Sequence, residues 1–171
     1  MGTNKVFSSL HKIAAAYQSE LQRIDDTQFQ LVPPIGGWSY SEVFAHIWDA
    51  SRLTLETLED CLNGKGKYNK PTVFVTRLIL FFGALPPGRY KTPPILNGRV
   101  KVITKAEAHS LIDAFLAQLE IDYKSMDRAQ DDIKTPHPKL GYLNANQWLR
   151  FIEIHLKHHY KQLKRIEKSF G

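Results

Sequence analysis

Four stretches of the chain carry apolar residues at the three- and four-residue spacing that is typical of an α-helix packed on one side. The first predicted helix covers residues 7–25. The other three each begin at a residue whose side chain can cap the first helical turn, with Glu or Gln three residues later: Ser39, Thr104 and Asn144. The fourth helix continues almost to the last residue. This pattern predicts an all-α four-helix bundle.

The second and third predicted helices are separated by a long connection, residues 63–103. Glycine and proline are frequent at both of its ends, which excludes one continuous helix. Its apolar middle, residues 72–82, is either a short helix or a buried extended run, and we favour the helix. Connections of this length often shape a site or a lid. We therefore predict a four-helix bundle with a long crossover between helices 2 and 3, which caps one end or side.

Composition narrows the class of protein further. The chain has 171 residues, 43% of them hydrophobic, which suits a single domain over residues 1–171 with one core. Cys61 is the only cysteine, so no intramolecular disulfide can form. Residues 1–23 lack the apolar stretch of a secretory signal, and the most apolar run, residues 78–85, is too short to span a membrane. We expect a cytoplasmic protein whose net charge of +6 serves solubility.

Histidine is the chemically most informative residue type in this sequence. A helical projection of the fourth helix shows which of its three histidines face the core. His155 and His159 fall on the centre line of the apolar stripe, whereas His158 falls on the flank. Two imidazoles at i and i+4 can reach one metal ion. His158 could replace His159 as a ligand, although its angular position disfavours it. Four lysines cluster on the opposite face, which we expect to meet water: Lys157, Lys161, Lys164 and Lys168.

A third histidine, His46, lies in the apolar stripe of the second predicted helix. Burying three imidazoles in one core is costly unless each finds a partner, and one divalent cation would satisfy all three. The alternative is that each bonds separately to a hydroxyl or carbonyl group in the core. We favour the shared metal. His11 and His109 lack such pairing and are expected at the surface.

Several segments resemble the DinB-like superfamily of metal-dependent enzymes. Residues 37–47 (GWSYSEVFAHI) are similar to its second-helix signature, in which a WS-x-x-E opening leads to a metal-binding histidine. Residues 137–141 (HPKLG), Gln147-Trp148 and residues 155–162 (HLKHHYKQ) resemble its HP-x-x-G turn and its terminal H-x-x-H-H-x-x-Q helix. Residues 63–103 match nothing in that pattern.

The resemblance implies an up-and-down variant of the four-helix bundle and a metal, commonly nickel or zinc, held by His46, His155 and His159. Relatives in that superfamily include transferases of the bacillithiol type, which use low-molecular-weight thiols, as well as an isomerase and hydrolase candidates. Many members have no assigned substrate. The expected partner of this chain is accordingly a small-molecule substrate, with a low-molecular-weight thiol as one option.

Two polar residues near the predicted ligands could assist them. Gln162, one turn beyond His159, could hydrogen-bond a ligating imidazole or the bound ligand, or it could be a polar edge of the helix interface. Asp49 could orient an imidazole or act as a base, although pairing with Arg52 explains it as well. His137 precedes the fourth helix and could line the pocket mouth, but turn chemistry accounts for that segment too.

Three imidazoles leave at least one coordination position open, which is how catalytic sites are built. The ion could then activate water for hydrolysis or a thiol for transfer. The serious alternative is a non-catalytic bundle, a ligand-binding or dimeric interaction module with a vestigial metal site. The sequence also leaves a homodimer open. We expect no membrane partner and no nucleic-acid partner, because no base-stacking aromatics alternate with the lysines of the fourth helix.

Overall fold

The computed structural model describes residues 2–86 and 100–171, and its long helices pack around one core. The elements are α1 Thr3–Arg23, α2 Asp26–Phe29, α3 Tyr40–Leu62, β1 Lys67–Tyr68, α4 Phe74–Phe82, α5 Lys105–Lys124, β2 Ile133–His137, β3 Gly141–Leu143 and α6 Ala145–Glu167. Each of the four long helices packs on at least two others: α3 packs on α5 and α6, and α1 packs on the same two. The predicted four-helix bundle is confirmed.

The three predicted helix starts are confirmed, each as a complete capping box. At the start of α3, the Glu42 amide donates to Ser39 Oγ (3.2 Å), and the Ser39 amide donates to Glu42 Oε2 (2.8 Å). Thr104 and Asn144 cap α5 and α6 in the same way. These reciprocal bonds satisfy amide groups that the first helical turn leaves without partners. The site residues of α3 and α6 therefore lie at fixed distances from locally determined helix starts.

Two helices end before their apolar stripes do. The first helix ends at Arg23 rather than near residue 25, because Asp25 caps the short helix α2 and accepts from the Thr27 amide (2.8 Å). The third apolar stripe continues to Met126, but α5 stops at Lys124 and a 3-10 turn, Met126–Arg128, follows. In both places, local hydrogen bonds end the helix although apolar residues at helical spacing continue beyond it.

The crossover contains the short helix that we favoured, α4, Phe74–Phe82. It lies against α6, where Arg150 Nε donates to the Leu80 carbonyl (3.2 Å). Thr76 Oγ1 donates to the Leu140 carbonyl (2.8 Å), which ties α4 to the turn before α6. Helix α4 therefore lies on one side of the bundle. Its residues 87–99, which include part of its glycine and proline punctuation, lie outside the described residues.

A small antiparallel sheet, in the order β1-β2-β3, was absent from the prediction. Its strands are two to five residues long and carry no run of alternating apolar residues, so they lack the pattern that identifies strands. Thr135 in β2 accepts a hydrogen bond from Trp148 Nε1 (2.7 Å) and contacts Cys61 Sγ (3.1 Å). The sheet therefore anchors the loop before α6 to α3 and to α6 itself.

No helix among residues 2–86 and 100–171 is long and apolar enough to cross a membrane.

Candidate metal centre

Three imidazoles meet at the interface between α3 and α6. His46 comes from α3, and His155 and His159 come from successive turns of α6. One ring nitrogen of each lies within 4.8 Å of one ring nitrogen of the other two. His155 Nε2 and His159 Nε2 are 3.1 Å apart. The structure thus brings together the three histidines that the sequence selected.

Aromatic side chains pack against the three histidines. The Trp38 indole lies 4.9 Å from the His46 ring, centroid to centroid, and Phe151 stacks on His155 at 5.4 Å. His46 and His159 are each only 7% exposed, and His155 is half-buried. The cluster is therefore largely removed from water, with His155 as its most accessible member.

Burial keeps these imidazoles neutral. It lowers the pKa of His46 to about 4 and the pKa of His159 to about 3. The pKa of His155 is also well below its ordinary value, first because of burial and then because His159 and His46 lie beside it. Since a charged imidazole is disfavoured away from water, all three rings keep a lone pair at neutral pH. A metal ion needs that lone pair.

Gln162 determines which nitrogen of His159 carries the proton. Its Oε1 atom lies 2.8 Å from His159 Nδ1. Because a carbonyl oxygen can only accept a hydrogen bond, Nδ1 donates and Nε2 keeps its lone pair. That lone pair belongs to the nitrogen 3.1 Å from His155 Nε2. Gln162 thus makes a hydrogen bond to an imidazole of the cluster, which is one of the two roles predicted for it from the sequence.

Asp49 lies near the cluster but pairs with another residue. Its Oδ1 is 3.5 Å from Arg52 Nη2, the pairing expected from the sequence. The Asp49 carboxylate also acts on His46, whose pKa it raises by less than burial lowers it. Asp49 therefore influences the cluster through its charge.

Two other histidines, His137 and His158, lie near the cluster without belonging to it. His137 Nδ1 accepts hydrogen bonds from the amides of Lys139 (3.0 Å) and Leu140 (3.1 Å), which stabilise the turn between β2 and β3. This confirms turn chemistry for His137, and burial lowers its pKa to about 4. His158 is half-buried on the flank of α6, with its ring 5.1 Å from that of His159. His158 thus adjoins the cluster without being one of its three members.

The lysine face of α6 only partly matches the prediction. Lys161 and Lys168 are exposed as expected, but Lys157 and Lys164 are half-buried, so the prediction was wrong for these two. Lys164 Nζ lies 2.6 Å from Glu20 Oε1 of α1. The projection could not reveal this, because α1 covers part of the face that a single helix would expose to water.

Sequence reasoning also missed a buried carboxylate on this face. Glu153 is 0% exposed. It accepts from Ser9 Oγ (2.5 Å) and Lys157 Nζ (2.6 Å) and forms an ion pair with Arg150. Arg150 lies three residues before Glu153 and Lys157 four residues after it, and this spacing in the sequence already indicates a local cluster of charges. It does not indicate that the cluster is buried.

The chain is similar to a protein family and to several known proteins. The family model of the DinB superfamily matches residues 9–163. YuaE of Bacillus subtilis (strain 168), an uncharacterised protein, is 23% identical over 155 residues, which cover 88% of this chain and 90% of YuaE. A crystal structure of the four-helix bundle protein TT2238 is 20% identical, with a TM-score of 0.62, and the match covers 96% of this chain and 99% of TT2238.

Two further solved structures share the fold. YfiT from Bacillus subtilis, described as a probable metal-dependent hydrolase with an unusual four-helix bundle topology, is 16% identical with a TM-score of 0.65, covering 99% of this chain and 87% of YfiT. The mycothiol-dependent maleylpyruvate isomerase is 13% identical with a TM-score of 0.66, covering 94% of this chain and 60% of the isomerase. The family match extends over most of the sequence, and these structures share its fold. The chain belongs to the DinB superfamily.

Proposed function

We propose that this protein is a metal-dependent enzyme in which His46, His155 and His159 hold one divalent ion, either nickel or zinc. The observation that supports this most directly is the group of three neutral ring nitrogens within 4.8 Å of one another. Zinc–nitrogen bonds of about 2.1 Å in tetrahedral geometry place neighbouring ligand nitrogens roughly 3.4 Å apart. The 3.1 Å between His155 Nε2 and His159 Nε2 is close to that spacing.

The proposed reaction is transfer or hydrolysis on a small-molecule substrate. When bound by three neutral imidazoles, a divalent ion supplies a Lewis acid with an open position, which favours the ionised form of a thiol or of water. The residues of the chain prepare that position. Gln162 orients His159 through the 2.8 Å hydrogen bond, the Asp49 carboxylate places a negative charge near His46 that favours a bound cation, and Trp38 and Phe151 exclude water from the rings.

Two structural relatives bear on the choice between thiol and water. YfiT is described as a probable metal-dependent hydrolase, and the isomerase as mycothiol-dependent. The second name favours a low-molecular-weight thiol as substrate or co-substrate of this chain, and the first favours activated water. Both chemistries require the same ion, so the metal is tested first.

The metal hypothesis is tested by elemental analysis of the purified full-length protein. We expect about one divalent ion per chain, lost in His46→Ala and in His155→Ala. His158→Ala is the matched control, because this imidazole lies beside the cluster without belonging to it. A native protein that takes up no divalent ion, or loss of the ion in His158→Ala alone, would contradict the proposed ligand set.

The reaction class is tested on the metal-loaded protein. Cysteine-derived thiols combined with small electrophiles report transfer, whereas ester and amide substrates without a thiol report hydrolysis. Turnover that His46→Ala abolishes and His158→Ala retains identifies the active chemistry. Metal bound in full with neither turnover would instead support the non-catalytic module.

A further inference from the structure

A cavity of about 350 Å³ lies between α1 and α6, apart from the three histidines. Its volume is at the lower end of the range found for small-molecule sites. Residues 9, 12, 13 and 16 line it from α1, and residues 154, 157, 158, 160 and 161 line it from α6. Apart from Tyr160, both sets follow the three- and four-residue spacing of one helix face. Residues 83–85, just beyond α4, complete the wall.

The charge around this cavity is positive. Among the described residues that line it, three are lysines and none is a carboxylate. Lys157 is paired with the buried Glu153, which Arg150 also contacts, so one negative charge already faces two positive ones. Lys12 and Lys161 are exposed, and within the described parts of the chain neither forms an ion pair. Their ammonium groups are available to an anion.

The remaining lining is largely apolar. Ile13 of α1 and Ile154 of α6 contribute branched side chains from opposite sides, and Leu85 contributes a third. Ile154 is buried, and the other two are half-buried. An apolar wall beside uncompensated ammonium groups is complementary to a ligand with a short hydrocarbon body and one anionic end.

We propose that this cavity binds a small organic carboxylate, with its apolar body between Ile13 and Ile154 and its charged end paired with Lys12 and Lys161. The site is distinct from the proposed metal centre. His158 lines the cavity, and its neighbour in sequence, His159, belongs to the histidine cluster. Binding in the cavity does not depend on metal occupancy, so the two proposals can fail separately.

The test uses the full-length protein with a chelator present, so that no metal ion can bind the carboxylate. Isothermal titration calorimetry with 4-phenylbutyrate is compared with 4-phenylbutyramide, an uncharged molecule of the same shape. We expect the carboxylate to bind at least about tenfold more tightly than the amide, since hydrogen bonds to charged groups are the stronger ones. Raising the salt concentration should weaken binding of the carboxylate only.

Substitution of the lysines locates the binding site. In the double variant Lys12→Met and Lys161→Met, we expect the affinity for 4-phenylbutyrate to fall roughly tenfold, with the amide unaffected. Lys168→Met is the matched control. Lys168 directly follows α6, is exposed, and does not line the cavity. Equal affinity for carboxylate and amide, an unchanged double variant, or no binding of 4-phenylbutyrate at millimolar concentration would overturn the proposal.

Discussion

Replacement of Gln162 by leucine tests whether the cluster depends on its supporting hydrogen bond. Gln162 Oε1 accepts from His159 Nδ1 at 2.8 Å, and His159 is only 7% exposed. Leucine removes the acceptor while keeping a side chain of similar size. The His159 proton can then move to Nε2, the nitrogen proposed to bind the ion, because nothing holds it on Nδ1.

The expected loss of metal affinity follows from the hydrogen bond that is lost. Residues that orient a ligating imidazole typically contribute about 10- to 100-fold in metal affinity, or about 1.4–2.7 kcal/mol. A buried N–H left without an acceptor costs a similar amount, about 1–3 kcal/mol. Gln162 is half-buried, so water can partly replace its oxygen. We therefore expect the lower part of this range for Gln162→Leu, roughly 10- to 30-fold.

Competition with a chromophoric zinc chelator at neutral pH measures this loss. Gln162→Glu keeps an acceptor for Nδ1–H and should bind zinc at least as tightly as the unsubstituted chain. Thermal unfolding of each variant in excess EDTA separates damage to the fold from damage to the site. If Gln162→Leu folds normally and binds zinc as tightly as the unsubstituted chain, His159 does not need Gln162, and the proposed orientation is wrong.

Two further predictions concern stability. Glu153→Gln should lower the free energy of unfolding by about 2–3 kcal/mol, because it removes a fully buried charge between Arg150 and Lys157. Glu56→Gln, which removes an exposed partner of Arg52, should cost no more than about 0.5 kcal/mol. Urea unfolding followed by circular dichroism measures both, and equal losses would contradict a special role for burial. The second prediction concerns acid: with EDTA present, stability should fall as the pH drops from about 6.5, the ordinary histidine pKa, towards about 4, the lowered pKa of His46. The sign follows because the unfolded chain binds protons in this window while the buried ring does not. His46→Gln should reduce this slope without abolishing it, because the pKa values of His137, His155 and His159 are lowered as well, and an unchanged slope would show that His46 does not contribute.

Much of the site follows from local sequence. The capping residues Ser39 and Asn144 determine where α3 and α6 begin, and helical periodicity then places His46, His155 and His159 on buried faces. Caps and periodicity depend on backbone geometry within a few residues, so they can be read without knowing the fold. The same projection correctly separated His158 from its two neighbours.

Other features depend on which helices are neighbours, and periodicity does not contain that information. The contact of α3 with α6 brings His46 close to His155 and His159, and the contact of α1 with α6 covers Lys157 and Lys164. The pairing of β1 with β2 likewise joins segments more than sixty residues apart, although β2 and β3 form a local hairpin. These are long-range contacts, and a sequence pattern constrains them only weakly.

The sequence by itself determined the four long helices, the starting residues of three of them and the three histidines that point inward, because each of these depends on local spacing. Only the tertiary structure decided that the three rings meet and that Glu153 is buried. The physical reason is that burial and inter-helix distance are properties of packing, which arise when separate elements exclude water together.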